Sequence, residues 1–507
     1  MVDSKRKETS RGVVLPPKHT GSSLFHAVLL DAAAEFPAEF ACVQLPDQPS
    51  AWKRSYGTLL SRFEAQRVAS PRRVEIARFI QRRAQAALSF ASPSGSQPLA
   101  EYLARDHAVP QLQSITCSGA PALRAEVPLD GQLYRGRDVL GLIDRLADNG
   151  DLTRAAQRGL RWTVEHIEAR GGVLDLRGER FALLGAAAEL AATAMLLKAG
   201  ASVLWVDLSD PKRWLAQRSA ESGTVMYAED ACNLLEQPRA IRAAIERFAE
   251  AGAVHLGLFA YASGASQEWR LGAAMNAIAS HLPAACVRSV SMLVSPTTVP
   301  SLQPESIDAA NRQLATEPFW KSALSRAGLL SKPGHYSANG VQIGLATVSV
   351  QGLSYQAAQY ISKLAAAESF AAYGSAWDGD GGAQPLTVSA NVAGITRTRS
   401  LSHPLFAAAF VGAPRFGVRI FDPDTTRALS GLLILHDLLN PDAPGSATRR
   451  MQPAAKAAAL FSQQVHGGIY NLPYPLEQAI RVAAVIGMGQ RPSVLLQRSA
   501  RSAEATA

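Results

Sequence analysis

The sequence predicts an α/β fold, with a doubly wound parallel sheet preceded by a mainly helical N-terminal region. Three observations carry this prediction. From Ser23 to about Arg170, apolar positions recur at three- and four-residue spacing, the period of helices with one buried face. After Gly171-Gly172 the pattern changes to short β-branched or aromatic runs alternating with longer helical stretches. Strand followed by helix followed by strand requires parallel pairing, with helices covering both faces of the sheet. The 507 residues exceed one ordinary domain, and 47% hydrophobic against 18% charged residues is a globular balance. Abundant alanine with few aromatics favours closely packed helices.

Taken in order, residues 1–20 read as a disordered arm and 21–172 as a helical accessory region. Its helical segments include Leu24 to Phe36, Arg73 to Phe90 and Val139 to Leu146, with Pro/Ser/Gly-rich breaks at 91–97 and 107–130. Residues 173–507 read as the sheet domain with a C-terminal extension. Its strand candidates are Phe181–Leu184, Ser202–Val206, Thr224–Tyr227, His255–Phe259, Ser289–Val294 and Leu386–Ala390. A Pro-, Ser- and Lys-bearing section at 299–339 interrupts the rhythm and is expected to be an insertion, positioned to act as a lid. The Gly- and Asp-rich stretch Gly374 to Gln384 reads as a loop.

The net charge of +9 is small for this length. Much of it lies in Lys5-Arg6-Lys7 and in the cluster Arg67, Arg72, Arg73, Arg78, Arg82 and Arg83, read as a solvated helix face. Without zinc-finger spacing or an aromatic RNA-binding motif, nucleic acid is not the expected partner. Cys42, Cys117, Cys232 and Cys286 lack C-x-x-C spacing, which argues against zinc and fits reduced thiols in the cytoplasm. The N-terminus lacks the apolar core of a secretory signal. The most apolar stretch, Phe181 to Val206, is broken by Glu189 and Lys198, so no transmembrane span is expected. Asp378 and Asp380 read as solvated loop residues, His403 and His436 show no metal-ligand spacing, and His466, before two glycines, reads as a turn residue with a catalytic role as the alternative. Gly-x-Ser-x-Gly is absent, which argues against an α/β-hydrolase.

The richest segment is Phe181-Ala-Leu-Leu-Gly185-Ala-Ala-Ala-Glu189-Leu190-Ala191, continuing as a helical pattern to Gly200 and a second strand ending in Asp207. It reads as one βαβ unit with a turn at Gly185. In such a unit a pyrophosphate sits at the helix N-terminus, here near Gly185, Ala186, Glu189 and Leu190. Asp207 lies 22 positions after Gly185, where an acid receives ribose hydroxyls and favours NAD over NADP. Two positions that carry glycine in the full fingerprint hold alanines and Glu189. Their Cβ atoms hinder close backbone approach, and a carboxylate there repels phosphate.

An ordered series of weaker matches follows, and together they resemble the short-chain dehydrogenase/reductase family with its Rossmann domain. Ala228-Glu-Asp230 stands where that family places an acid against adenine. The run through Ala262-Ser263-Gly264 is similar to its Asn-Asn-Ala-Gly strand end. Asn276 resembles its structural asparagine and Ser295 its catalytic serine. Ser389-Ala-Asn391-Val-Ala-Gly394-Ile-Thr396 resembles the strand exit that cups the nicotinamide. Asp422 to Leu439 and His466-Gly-Gly-Ile-Tyr470 resemble its last helix and seventh strand.

The resemblance implies a tyrosine–lysine pair, because hydride exchange at a carbonyl needs an acid or base at the oxygen. Lys363 fits the lysine, but the tyrosine expected four residues earlier is Gln359. Tyr360 is three residues before the lysine. Tyr355 is eight before, one more than the wider interval of enoyl-acyl-carrier-protein reductases, and its Gly-Leu-Ser lead-in favours it. The implied function is an NAD-dependent oxidoreductase, with NADP also open, acting on a small carbonyl, alcohol or enoyl substrate as a homo-oligomer. The apolar segments Leu405 to Phe410 and Ala428 to Leu439 suit an apolar substrate. The rival reading is a non-catalytic nucleotide sensor or scaffold whose N-terminal region binds a partner.

Overall fold

The computed structural model describes residues 11–17, 19–218, 222–262, 266–373, 386–398, 401, 403–450 and 460–490. Seven strands form the central sheet. In chain order they are β1 (Gln113–Thr116), β2 (Arg180–Leu184), β3 (Ser202–Val206), β4 (Thr224–Tyr227), β5 (Val254–Leu258), β6 (Val287–Val294) and β7 (Thr387–Val392). Across the sheet they lie β7-β6-β5-β2-β3-β4-β1. Strands β2 to β7 run parallel, and β1 is antiparallel to β4. The chain therefore steps outward from β2 through β3 to β4, returns to β5 on the other side of β2, and steps outward again. Loops leaving β2 and β5 diverge, which opens a crevice at the C-terminal ends of those two strands.

Side chains alternate between two cores because successive Cβ atoms leave a strand on opposite faces. Ala182, Leu184, Leu204 and Val206 enter one core, whereas Phe181, Leu183, Val203 and Trp205 enter the other. The first core is completed by helices Pro238–Ala249 and Gln267–His281 and by the long helical run that starts at Leu353. The second is completed by Asp138–Asp148, Arg154–Glu168 and Pro423–Leu439.

The N-terminal helices Gly21–Glu35, Pro49–Ala69 and Arg73–Ala86 join the first core through Phe25, Leu60, Phe63 and Ile76. They cover the outer side of the run Leu353–Tyr373 with a buried polar clamp. Tyr360 Oη donates to Glu64 Oε2 at 2.7 Å, and Arg67 bonds both Glu64 and Glu368. Arg67 is 1% exposed, so this member of the basic cluster is not on a solvated face. Its charge is tolerated there because two carboxylates and the Arg73 carbonyl surround it.

Other expectations need correction. Within the supposed arm, Gly12–Val14 pairs antiparallel with Ser89–Ser92, and Arg270 Nε donates to Val13 O. The helix expected to reach Phe90 stops at Ala86, because Ser89–Ser92 turns into that small sheet. Strand β1 comes from a stretch read as a break. The 299–339 section folds into helices Pro304–Ala315 and Phe319–Arg326 and a hairpin of His335–Ala338 with Val341–Gly344. The Gly374–Gln384 stretch lies outside the described residues.

One sheet edge is covered, and the other is the short, largely exposed β1. β4 is covered by β1. On the outer side of β7, Val388 N–H donates to Gly445 O, Val392 N–H to Gln463 O, and Val465 N–H to Val392 O. Gln464 there forms a parallel bridge with Val392, where the resemblance expects a seventh parallel strand. Among the described residues no helix is long and apolar enough to cross a membrane.

Candidate active-site cleft

Gly185 ends β2 in a turn that requires glycine: its φ is +92°, and an added Cβ would lie 2.2 Å from Ala260 N. The missing side chain lets the exits of β2 and β5 touch, and Phe259 and Ala260 both donate their N–H to Leu184 O. Beyond Gly185 the chain departs from expectation. Turns run to Leu190, and the following helix is only Thr193–Lys198. No helix N-terminus faces the crevice at Ala186.

Asp207 explains part of this. Its Oδ2 accepts the Ala187 N–H at 3.0 Å and its Oδ1 accepts the Ser209 N–H at 2.9 Å. The carboxylate expected at a ribose instead staples the loop after β2 to the loop after β3. Asp230, at the end of β4, does not reach the cleft. Ser263 and Gly264 lie outside the described residues.

The cleft has a volume of about 370 Å3 at the C-terminal ends of β2, β5, β6 and β7. Glu189 and Leu190 border it from the β2 loop, Ala262 from β5, Ser295 and Thr297 from β6, and Gly394 and Thr396 from β7. Tyr355, Gln359 and Lys363 enter it from one helical run. The insertion at 299–339 contributes no lining residue; Val350 and Gln351, beyond it, form part of the wall.

Tyr355 Oη donates to Ser295 Oγ at 2.9 Å. Ser295 Oγ is 3.0 Å from Thr297 Oγ1, which donates to Gln351 Oε1 at 2.7 Å. Gln359, standing where the usual tyrosine would be, links two strand exits. Its Oε1 accepts the Ser295 N–H at 3.2 Å, and its Nε2 donates to Glu268 Oε1 at 3.3 Å. Glu268 also accepts the Ala262 N–H at 2.9 Å and lies 3.6 Å from Lys363 Nζ.

The interval of eight residues between Tyr355 and Lys363 has a structural cause. The run is α-helical over Leu353–Gln359 and a π-turn over Tyr360–Ala365. Eight α-helical steps overshoot two full turns by about 80°. Three of those steps at the π-turn's slower advance, about 85° each, cut the overshoot to about 35°. The wider turn thus absorbs the extra residue and returns Lys363 toward the Tyr355 face.

Burial holds the Tyr355 phenol well above its usual range; the Ser295 bond lowers it and the Glu268 charge raises it further. The phenol therefore stays protonated at neutral pH and is a weaker acid than a free tyrosine. The ammonium of Lys363 faces Glu268. Burial likewise raises the Glu268 carboxyl, opposed first by Lys363.

Tyr360 and Asn276 do not join the site. Tyr360 points to Glu64 in the clamp, and one residue of helix separates it from the Gln359 face by about 100°. Asn276 Nδ2 donates to the Ser362 carbonyl at 2.9 Å and ties two buried helices together. Helix Pro404–Gly412 reaches the cleft through Phe406, whereas Pro423–Leu439 packs into the second core. Glu268 was not singled out in the sequence; an acid opening an alanine-rich helix reads as an ordinary first-turn residue. Among the described residues no three His, Cys, Asp or Glu side chains group to hold a metal.

Fit to a dinucleotide is divided. Gly185 permits the close approach of two strand exits, and Lys363, Gly394 and Thr396 border the space a nicotinamide riboside would need. The adenosine end does not fit, since Asp207 is bonded to Ala187 and Glu189 borders the cleft. No family model, no curated protein and no solved structure matches the chain.

Proposed function

We propose that the chain is a Rossmann-type oxidoreductase related to the short-chain dehydrogenase/reductases, acting on a carbonyl or enoyl compound or the matching alcohol. The observation that carries this reading is the 2.9 Å hydrogen bond between Tyr355 and Ser295, sixty residues apart in the sequence, in a cleft shared with Lys363. The strand order, numbered from β2, is 3-2-1-4-5-6 with its reversal at the cleft, as in doubly wound nucleotide-binding sheets.

A nicotinamide dinucleotide, when bound, supplies or accepts the hydride. The chain's own residues manage the oxygen. Tyr355 gives its phenolic proton to the oxygen as negative charge develops there, and Ser295 hydrogen-bonds the same atom. Lys363, fixed by Glu268, is the group that would meet ribose hydroxyls. Gln359 keeps the β6 exit and the helical run in register.

The loop stapled by Asp207 favours a second reading, a non-catalytic Rossmann-like scaffold or nucleotide sensor. Titration with NADH and NADPH, followed by turnover with simple aldehydes, ketones and enals, separates the two. Binding of either nucleotide with substrate-dependent NAD(P)H oxidation supports the enzyme. Absence of binding of both at millimolar concentration overturns it.

A further inference from the structure

Behind the cleft lies a chamber that the proposed chemistry leaves unused. Helices Pro404–Gly412 and Leu476–Gln490 form two of its walls. Thr297, Gln351, Ile395, Leu401 and Phe406 line both chamber and cleft, so the two adjoin across these side chains. Thr297 and Gln351 bond each other at the junction. Beyond them the lining is hydrocarbon, including Phe410, Phe416, Ile469, Leu472 and Ile480, and no charged residue takes part.

The walls are held by backbone contact. A Cβ on Gly412 would lie 2.0 Å from Ala483 O, and one on Gly487 would lie 1.9 Å from Ala408 O. The two helices therefore meet at their smallest residues and keep a fixed gap beside them.

We propose that this chamber binds the unbranched hydrocarbon tail of an amphiphile whose oxygen-bearing head lies at Tyr355 and Ser295. The head placement rests on the function proposed above; the tail placement rests on the chamber alone. The chamber's free volume is about 50 Å3, against roughly 10–15 Å3 for one water-sized sphere. An apolar cavity of roughly 150 Å3 takes one benzene ring, so the chamber takes about two carbons at the end of a tail and is too small for a ring. Water finds no hydrogen-bond partner among these side chains, so the tail displaces little ordered solvent.

Calorimetric titration of the full chain with straight-chain 1-alkanols from butanol to nonanol tests this. Affinity should rise about fourfold per added methylene and level off once the chamber is full. Ala479→Leu, at a position that lines the chamber, fills it and should stop the rise about two carbons earlier while leaving the shortest alcohols unchanged. Ala409→Leu, from the other helix, provides the same test if circular dichroism shows that Ala479→Leu is misfolded. The same slope and ceiling in wild type and the folded variant would overturn the tail site. Tyr355→Phe should weaken every alcohol by one common factor; a loss that varies with chain length would overturn the head placement. Failure to oxidise NAD(P)H with the chain-length slope intact rejects the reductase reading alone.

Discussion

The two ends of the cleft are built in opposite ways. Around Tyr355, hydroxyls and an amide bond one another through groups that can rotate toward a ligand. Around Gly185, a carboxylate and backbone amides bond each other directly across two loops. A hydroxyl exchanges partners at little cost, but a charge-assisted bond is worth about 1.5–3 kcal/mol and must be replaced in kind. The comparison teaches that one cleft can pair a rotatable hydroxyl network at one end with a fixed carboxylate–backbone staple at the other.

The largest expected effect lies at the first end. Tyr355→Phe should lower turnover by about 10²–10⁴-fold with nucleotide affinity unchanged, as read by single-turnover kinetics. Retained turnover would remove the tyrosine from the chemistry and erase the contrast. At the other end, Gly185→Ala should destabilise the fold by about 3 kcal/mol or more, since the new methyl meets the Ala260 backbone at a left-handed φ. Urea unfolding measures it.

Asp207→Ala should cost about 2 kcal/mol by the same assay, from the loss of two amide bonds to a carboxylate. It should leave the ratio of NADH to NADPH affinity unchanged; a selective loss of NADH would return Asp207 to a ribose. Tyr360→Phe should cost about 1 kcal/mol of stability through the Glu64 bond and leave turnover within about twofold. Smallest of all is an expected absence of change. Because Tyr355 is held above its ordinary value of 10.0, it remains a protonated acid at every pH below that value. The reduction rate should therefore show no alkaline fall from this group up to about pH 10.

The strands were legible because β-branched and aromatic runs buried on both faces leave a compact signal, as in Ser202–Val206. Ser295, Tyr355 and Lys363 were legible through their order along the chain and the turn before Tyr355. The fate of Asp207 was not, since an acid at a strand end looks the same whether it meets a ribose or an amide two loops away. β1 was missed because Gln-Ser-Ile-Thr lacks an apolar run; it is short, largely exposed and defined by its pairing with β4. The spacing of Tyr355 and Lys363 looked like a defect because sequence counts residues, whereas the π-turn sets the angle between them. Glu268 gains its meaning only when Lys363 and Gln359 arrive from about ninety residues downstream.

The two margins of the sheet bear on how the chain behaves at high concentration. A bare edge strand presents a row of amides and carbonyls on which another molecule's strand can grow, the first step of fibrous aggregation. Here the segments around Gly445 and Gln463 cover β7, whereas the other margin is β1, a short and largely exposed strand lying over β4. Loss of β1 pairing, as by Ile115→Pro, would uncover the β4 backbone as well and should raise self-association, as read by light scattering.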